Sequence, residues 1–508
     1  MDIVEIENTS KVFNHYKTNG DAKVYEKVVE NIILKRYCTD DNLKDYIING
    51  DIKNKRLMLL SLLNKKNFKW DSIRKHILKN RLTNYEHFYT LIKLFKDYII
   101  NDFEKIDVDN FFTPIDGVGQ DLIDLVEKYD ESFWKNPKNK VLDPSSGIGT
   151  FLILALIKFM KGLEEYIPNT DERYKYIVEN CLYYTDNDIE KTFIWLTIID
   201  PFNQYETNTY CGSFINKGFE EHKNEVWNVS KFNLIIQSPP YNKKQKRGKG
   251  STIIWDKFVL KSQKLLSSNG KMCFVHTPIW RKPQSEHTYS KDVHELLFSK
   301  QILELRIFSK YSGYKLFGTK SRFDYYILEN KDIYTDTKII DEDNNEYLIN
   351  IKNKHFIPNS NIDKINDLML ITPNKSNIIF NRHSYGTDRG WVSSTKDEIF
   401  KYPLVHTTPK NGVRYMYSKH KDNGHYGVPK VIFGETSVSN VVIDMEGEYG
   451  MTQDSMAIPV NSLKEANKIK KALLSDDFKK FMKSVTWSKY RIDWRLFMYI
   501  RKDFYKHI

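Results

Sequence analysis

The residues best suited to chemistry in this sequence are Ser238, Pro239, Pro240 and Tyr241, which follow the apolar run Leu234, Ile235 and Ile236. That run has the length of a buried strand. Two consecutive prolines then end any ladder, because neither carries an N–H to donate. The end of such a strand is where open α/β sheets place their ligands. Ser238 and the Pro239 carbonyl can accept the two hydrogens of an amino group, and Tyr241 can stack on a planar ring. Together the four residues suit a flat molecule bearing an exocyclic amine. The same residues also fit a strand followed by a proline turn over a core tyrosine.

A second constellation lies upstream, where Val141 to Leu152 reads V-L-D-P-S-S-G-I-G-T-F-L. This is a strand end, a turn containing Gly147 and Gly149, and an apolar helix start. Glycine at those positions permits positive φ and a close approach of backbone to ligand. The third glycine of the dinucleotide fingerprint G-x-G-x-x-G is missing, which disfavours a nicotinamide cofactor. Asp143 would repel a pyrophosphate and attract an ammonium group.

Taken together, the D-P-x-x-G-x-G turn and the later S-P-P-Y resemble the S-adenosylmethionine-dependent DNA methyltransferases that modify exocyclic amino groups. The order of motifs is similar to that of the gamma class: Phe111-Phe112-Thr113-Pro114 looks like the upstream cofactor motif, then come the glycine turn, the catalytic motif and a C-terminal recognition region. The resemblance is clear over residues 108–330, weaker over 400–460 and absent from the first hundred. It implies S-adenosyl-L-methionine as cofactor, double-stranded DNA as partner, and Ser238, Pro239, Pro240 and Tyr241 as catalytic residues. Thr113, Asp143, Gly147 and Gly149 would hold the cofactor. It also implies a monomer, with a restriction endonuclease as an accompanying protein.

Composition agrees with that class. At 508 residues the chain exceeds one ordinary core, so two or three domains are expected. A formal charge of +12 suits a polyanionic partner, although a lysine-rich solvated surface gives the same figure. Cys38, Cys181, Cys211 and Cys273 are scattered without C-x-x-C spacing. Neither a disulfide framework nor a zinc site is expected, and a reducing, cytoplasmic setting is. The N-terminus is acidic and lacks a signal-type apolar core. The longest apolar run, Phe151 to Ile157, falls far short of the ~20 residues that span a bilayer, so no membrane partner is expected.

The elements that would position these residues follow in order. Residues 1–105 read as a helical domain, with Val24, Val28, Val29, Ile32 and Ile33 at helical spacing. Residues 106–334 read as the catalytic domain, an α/β, Rossmann-like methyltransferase sheet with helices on both faces. Val118, Leu122, Ile123 and Val126 give an apolar helical stripe after Thr113-Pro114. The strand Cys181 to Thr185 ends in Asp186, an acid placed to hold ribose hydroxyls, with Asp188 as its competitor. The wide spacing from Gly147 to Asp186 reads as an insertion over Glu164 to Arg173. A third strand ends near Ser213 and Phe214, where the family usually has an acid for the cofactor's adenine. Ser213 stands there instead, and Phe214 could stack on the ring or pack in the core.

After the catalytic motif, Lys243, Lys244, Lys246 and Arg247 form a basic loop suited to phosphate contacts. Further on, the helix–strand–Trp280-Arg281 succession also resembles the family, with Trp280 and Arg281 expected to touch DNA. Residues 335–508 turn to short strands and breaks, then helices, and read as a mixed α+β target-recognition domain. The expected target is the N6 amino group of adenine, reached by base flipping. Motif order, the extended C-terminus and the Trp280-Arg281 segment resemble adenine enzymes, whereas Ser at position 238 is more typical of cytosine-N4 enzymes, the alternative. An RNA or protein methyltransferase and a catalytically inactive DNA-recognition subunit are the remaining alternatives.

Overall fold

The computed structural model describes residues 115–200, 205–240, 242–244, 251–285, 288–317, 321–381, 383–421, 425–436, 438–487 and 491–508. The expected N-terminal helical domain, Thr113, Tyr241, Lys246 and Arg247 lie outside the described residues. The chain divides into two compact units. One takes in the described residues to His276, with Lys300–Leu303 and Tyr325–Tyr334; the other takes in Thr277–Ser299, Glu304–Asp324 and Thr335–Ile508.

The first unit is a doubly wound, Rossmann-like α/β sheet. Its strands are β1 (Val141–Asp143), β2 (Leu182–Asp186), β3 (Asn208–Cys211), β4 (Phe232–Gln237) and β7 (Leu266–His276). The order β7-β4-β1-β2-β3 is parallel throughout, and β9 (Phe323–Asp332) follows beside β7. A small antiparallel ribbon, β5 (Asn242–Lys244) with β6 (Ser251–Ile253), lies between β4 and β7 in the chain. β1 and β2 are buried along their whole length, as parallel strands covered on both faces must be.

Helix α1 (Gln120–Tyr129) precedes β1 and buries Leu122, Ile123, Leu125 and Val126. From β1 the chain passes through α2 (Thr150–Gly162) and α3 (Thr170–Asn180) to β2, then α4 (Ile189–Ile199) leads to β3 and α5 (Lys217–Glu225) to β4. Beyond β4, α6 (Trp255–Leu265) leads to β7 on the opposite side of β1. Right-handed crossovers running in opposite directions place helices on opposite faces. The gap between β1 and β4 is therefore the topological switch point, the place where such sheets bind ligands.

The wide spacing between Gly147 and Asp186 comes from a second crossover helix rather than a polar insertion. Asn169 starts it, its side chain accepting from the backbone N–H groups of Asp171 and Glu172.

The second unit contains most of β8 (Lys300–Phe308), with α7 (Lys291–Ser299) and α8 (Lys310–Phe317). Beside β8 runs β10 (Thr337–Ile340), which pairs with β11 (Glu346–Ile349). The short helix α9 (Ile362–Asn366) follows. A four-stranded sheet has the order β12 (Val392–Ser393), β14 (Arg414–Ser418), β13 (Tyr402–Thr407), β17 (Gly450–Met451). A three-stranded sheet has the order β16 (Val441–Asp444), β15 (Lys430–Gly434), β18 (Ser455–Pro459).

Strand β15 explains why both sheets hold together. Its alternate side chains serve two cores, the period-2 consequence of the pleat. Val431 and Phe433 enter a core with α10 (Leu463–Leu474), α11 (Asp476–Ser484) and α12 (Arg495–Tyr499), while Ile432 packs with Val405, Met451 and Ala457. At its start the buried Lys430 ammonium lies 2.6 Å from Asp444.

Candidate functional site

The turn after β1 ties together polar groups from β1, β2 and β4 at the switch point. Gly147 adopts φ +56° and Gly149 φ +88°, both left-handed. Ser146 pins the turn to the sheet, its Oγ donating to the Asp143 carbonyl at 2.7 Å and its N–H to the Thr185 carbonyl at 2.9 Å. Tyr184 donates its hydroxyl to the Gly147 carbonyl at 2.6 Å, and its ring stacks on Trp195 at 5.2 Å. A Cβ on Gly149 would lie 2.2 Å from Trp195 Cε3, so this glycine makes room for a core ring. A Cβ on Gly147 would meet nothing within 4 Å. The two glycines thus serve different ends.

Asp186 sits at the end of β2, as its place after the strand suggested. One oxygen accepts the Gly147 N–H at 2.8 Å, and the other accepts the Asp188 N–H at 2.9 Å. Its competitor Asp188 accepts from the Lys191 N–H in the first turn of α4, so it caps that helix. Burial pushes the Asp186 carboxyl up, offset in part by Lys191.

Asp143 is 1% exposed at the end of β1. Its Oδ1 accepts the Ser145 N–H at 3.1 Å, while Oδ2 finds no partner among the described residues. Burial holds this carboxyl well above the ordinary range; the Ser145 N–H offsets this and nearby Asp186 adds to it.

On the other side of the gap, Ser238 and Pro240 are half-buried and Pro239 is buried. The structure joins them to the glycine turn: Ser145 Oγ donates to the Ser238 carbonyl at 3.2 Å and lies 3.4 Å from Gln237 Oε1. Gln237 is wholly buried, and its Nε2 has no partner among the described residues. At the end of β7, His276 bonds the Tyr326 hydroxyl at 3.1 Å and stacks on Trp255, so that strand end is filled by aromatic rings.

Sequence reasoning overlooked Ser145, Ser146, Tyr184, Trp195 and Gln237. Gln237 carried a signal, since an amide closing the apolar run L-I-I is out of pattern for a buried strand. Tyr184 and Trp195 carried none, because aromatic residues are ordinary in buried elements.

Two expectations are corrected by burial. Phe214 is 1% exposed, its ring packed against Phe219 at 4.8 Å and Phe258 at 5.4 Å, so it is a core residue with no open face for a cofactor ring. Ser213 beside it is half-buried, its carbonyl accepting from Asn216. Trp280 and Arg281, expected on DNA, are both wholly buried in the second unit. Arg281 gives Nε and Nη2 to the Asp324 carboxylate at 2.6 and 2.9 Å, and Nη2 also to Asn359 Oδ1 at 3.0 Å. Its Nη1 donates to the carbonyls of Ile357 and Pro358. All five N–H donors of the guanidinium are therefore consumed. Trp280 Nε1 donates to the same Asp324. These two residues hold structure.

Lys243 and Lys244 lie on β5. Among the described residues no group of three or more His, Cys, Asp or Glu side chains could hold a metal ion, and no helix is long and apolar enough to cross a membrane.

No protein-family model and no curated protein matches this chain. Solved structures do resemble it. A modification subunit assigned to a type I restriction enzyme from Vibrio vulnificus is 14% identical, with a TM-score of 0.38, over 51% of this chain and 53% of its own. The type IIL restriction-modification enzyme MmeI, solved with DNA, is 15% identical at 0.43, over 80% of this chain and 66% of its own. A nuclease-deletion form of the type ISP restriction-modification enzyme LlaGI, solved with a DNA substrate mimic, is 13% identical at 0.49, over 96% and 54%. This chain spans about half the length of the first and the last. At such identities and scores, none of them assigns a role to a residue of this chain.

Proposed function

We propose that this protein is a DNA methyltransferase that uses S-adenosyl-L-methionine to methylate the N6 amino group of adenine in double-stranded DNA. One observation carries the reading. The D-P-S-S-G-I-G turn and the S-P-P segment leave adjacent strands at the switch point and are tied by the bond from Ser145 Oγ to the Ser238 carbonyl. Motifs that resemble a cofactor loop and a catalytic loop, far apart in sequence, thus share one sheet edge.

The residues present suit the cofactor. Asp143 Oδ2, without a partner among the described residues, is a buried acceptor matched to an ammonium group, and the open space at Gly147 leaves room beside the turn. Asp186 keeps further lone pairs for ribose hydroxyls, and Ser213 offers a polar group toward the adenine side. When bound, the cofactor supplies an electrophilic methyl group on a sulfonium.

The chain's own residues would then act on the base. Ser238 Oγ and the Pro239 carbonyl accept the amino hydrogens and direct the nitrogen lone pair, while Tyr241 stacks on a base turned out of the duplex. Rigid prolines fix those acceptors in advance, so catalysis comes from positioning and electrostatics. In this reading Lys243, Lys244, Lys246 and Arg247 contact phosphates, Thr113 approaches the cofactor, and residues 335–508 supply target recognition. A restriction endonuclease is the accompanying activity it implies.

The test is radiolabelled methyl transfer from S-adenosylmethionine to mixed-sequence duplex DNA, followed by nucleoside mass spectrometry. N6-methyladenine is expected. Ser238, shorter than the asparagine or aspartate usual in adenine enzymes, favours cytosine N4 as the second reading, and N4-methylcytosine would establish it. Absence of label in DNA with the cofactor still bound would overturn both. Tyr241→Ala is expected to abolish transfer and retain cofactor binding.

A further inference from the structure

Two side chains at the ends of neighbouring strands are buried, each with a polar atom that has no partner among the described residues. On β1 this is Asp143 Oδ2, and on β4 it is Gln237 Nε2. Buried polar atoms without partners are uncommon in folded proteins, and each one asks what satisfies it. Both side chains touch the same residue: Asp143 Oδ1 accepts the Ser145 N–H at 3.1 Å, and Gln237 Oε1 lies 3.4 Å from Ser145 Oγ. The two side chains therefore converge on Ser145 from neighbouring strands. One is a carboxylate acceptor and the other an amide donor.

We propose that Asp143 and Gln237 form a joint seat for an α-amino carboxylate, Asp143 taking the ammonium and Gln237 Nε2 donating to the carboxylate. This deepens the functional reading above, on which it rests, by assigning the methionine end of the cofactor to a residue outside the S-P-P-Y motif. The chemistry is complementary: a zwitterion presents opposite charges on adjacent groups, and the pair presents an acceptor and a donor. Gln237 serves without carrying a charge of its own, so the strand L-I-I-Q can bury it without an ion's desolvation cost when the ligand is absent. Gln237 Oε1 is the amide atom that faces Ser145 Oγ, and Nε2 is the atom left over. Both halves of the seat thus flank Ser145.

The experiment is calorimetric titration with S-adenosylmethionine and with its decarboxylated analogue, on wild type, Gln237→Met and Gln237→Glu. Wild type is expected to bind the full ligand tighter than the analogue by roughly tenfold or more, the weight of a hydrogen bond to a charged group. Gln237→Met, close in shape, should lose about that factor for S-adenosylmethionine and nothing for the analogue. Gln237→Glu should bind S-adenosylmethionine more weakly still, because two carboxylates would face each other. Equal losses for both ligands, or none for either, would overturn the donor role, as would tight binding by Gln237→Glu. The wild-type comparison needs no variant to fold, and absence of discrimination there overturns the seat directly. Wild type that binds neither ligand sinks the methyltransferase reading itself. Binding that persists unchanged in Gln237→Met sinks only this inference.

Discussion

Ser145 Oγ donates to the Ser238 carbonyl oxygen at 3.2 Å, a bond between the turn after β1 and the segment after β4. It sets the direction in which the chain enters Pro239, and so the positions of the acceptors around it. Ser145→Ala removes this bond and keeps the backbone N–H to Asp143. Stability is expected to fall by about 1 kcal/mol, the usual weight of a neutral hydrogen bond. The catalytic rate constant should fall and KM for the cofactor should rise as well, because the same hydroxyl also faces Gln237 Oε1 in the proposed seat. Steady-state methyl-transfer kinetics with a thermal melt read both quantities. A rate equal to wild type would detach the bond from catalysis.

Gly147 and Gly149 should respond differently to the same added methyl group. Either alanine would take a left-handed backbone, costing about 1–2 kcal/mol. At Gly149 the new Cβ would also collide with the Trp195 ring, which is stacked on Tyr184 in the core. Overpacking of that kind adds about 1–3 kcal/mol. Gly149→Ala is thus expected to lower the melting temperature sharply, whereas Gly147→Ala lowers it modestly and shows its main effect in weaker cofactor binding. Similar melts for the two variants would count against the packing role of Gly149.

Cofactor binding should release a proton across the pH window between the raised Asp143 carboxyl of the free protein and its lower value in the complex. Burial raises the Asp143 carboxyl well above its ordinary value in the free protein. An arriving ammonium group stabilises the carboxylate and lowers that value again. Between the two values the free protein holds a proton that the complex gives up, so affinity rises with pH across that window and falls as pH drops through it. Titrations in buffers of different ionisation enthalpy measure the release directly. Asp143→Asn should bind more weakly and release no proton from this position. Release unchanged in Asp143→Asn would place the titrating group elsewhere.

The parts of the site legible in the sequence were those whose chemistry is written in backbone-breaking residues. Gly147, Pro239 and Pro240 interrupt apolar runs, and strand ends in an α/β sheet converge at one edge, so their association followed from local rules. Asp186 was legible because it directly ends a strand, and Asp188 proved to be the cap of α4. What escaped was everything that depends on contacts between distant segments. Nothing local in T-F-I-W-L tells that Trp195 fills the space above Gly149. The second crossover helix reads as an insertion in the sequence because its polar start, N-T-D-E-R, caps a helix as readily as it forms a loop. The expected ligand contacts of Phe214, Trp280 and Arg281 rest on resemblance alone, and all three side chains are buried in cores.

Arg281 supplies the clearest contrast between a structural and a nucleic-acid role. Its guanidinium and the Asp324 carboxylate are both wholly buried, and Trp280 donates to the same carboxylate. Arg281→Ala would leave that carboxylate with no cation in a dry environment, a change that costs about 3–5 kcal/mol. Arg281→Lys keeps the charge, but an ammonium has three donors and no planar fork, so it cannot replace contacts to Asp324, Asn359 and two carbonyls at once. Both variants are expected to unfold at lower denaturant concentration than wild type. The fraction that remains folded should bind duplex DNA with unchanged affinity and an unchanged dependence on salt. A phosphate contact would give the reverse pattern, with normal stability, weaker binding and a salt slope reduced by about one. Chemical denaturation and fluorescence anisotropy on the same samples separate the two outcomes.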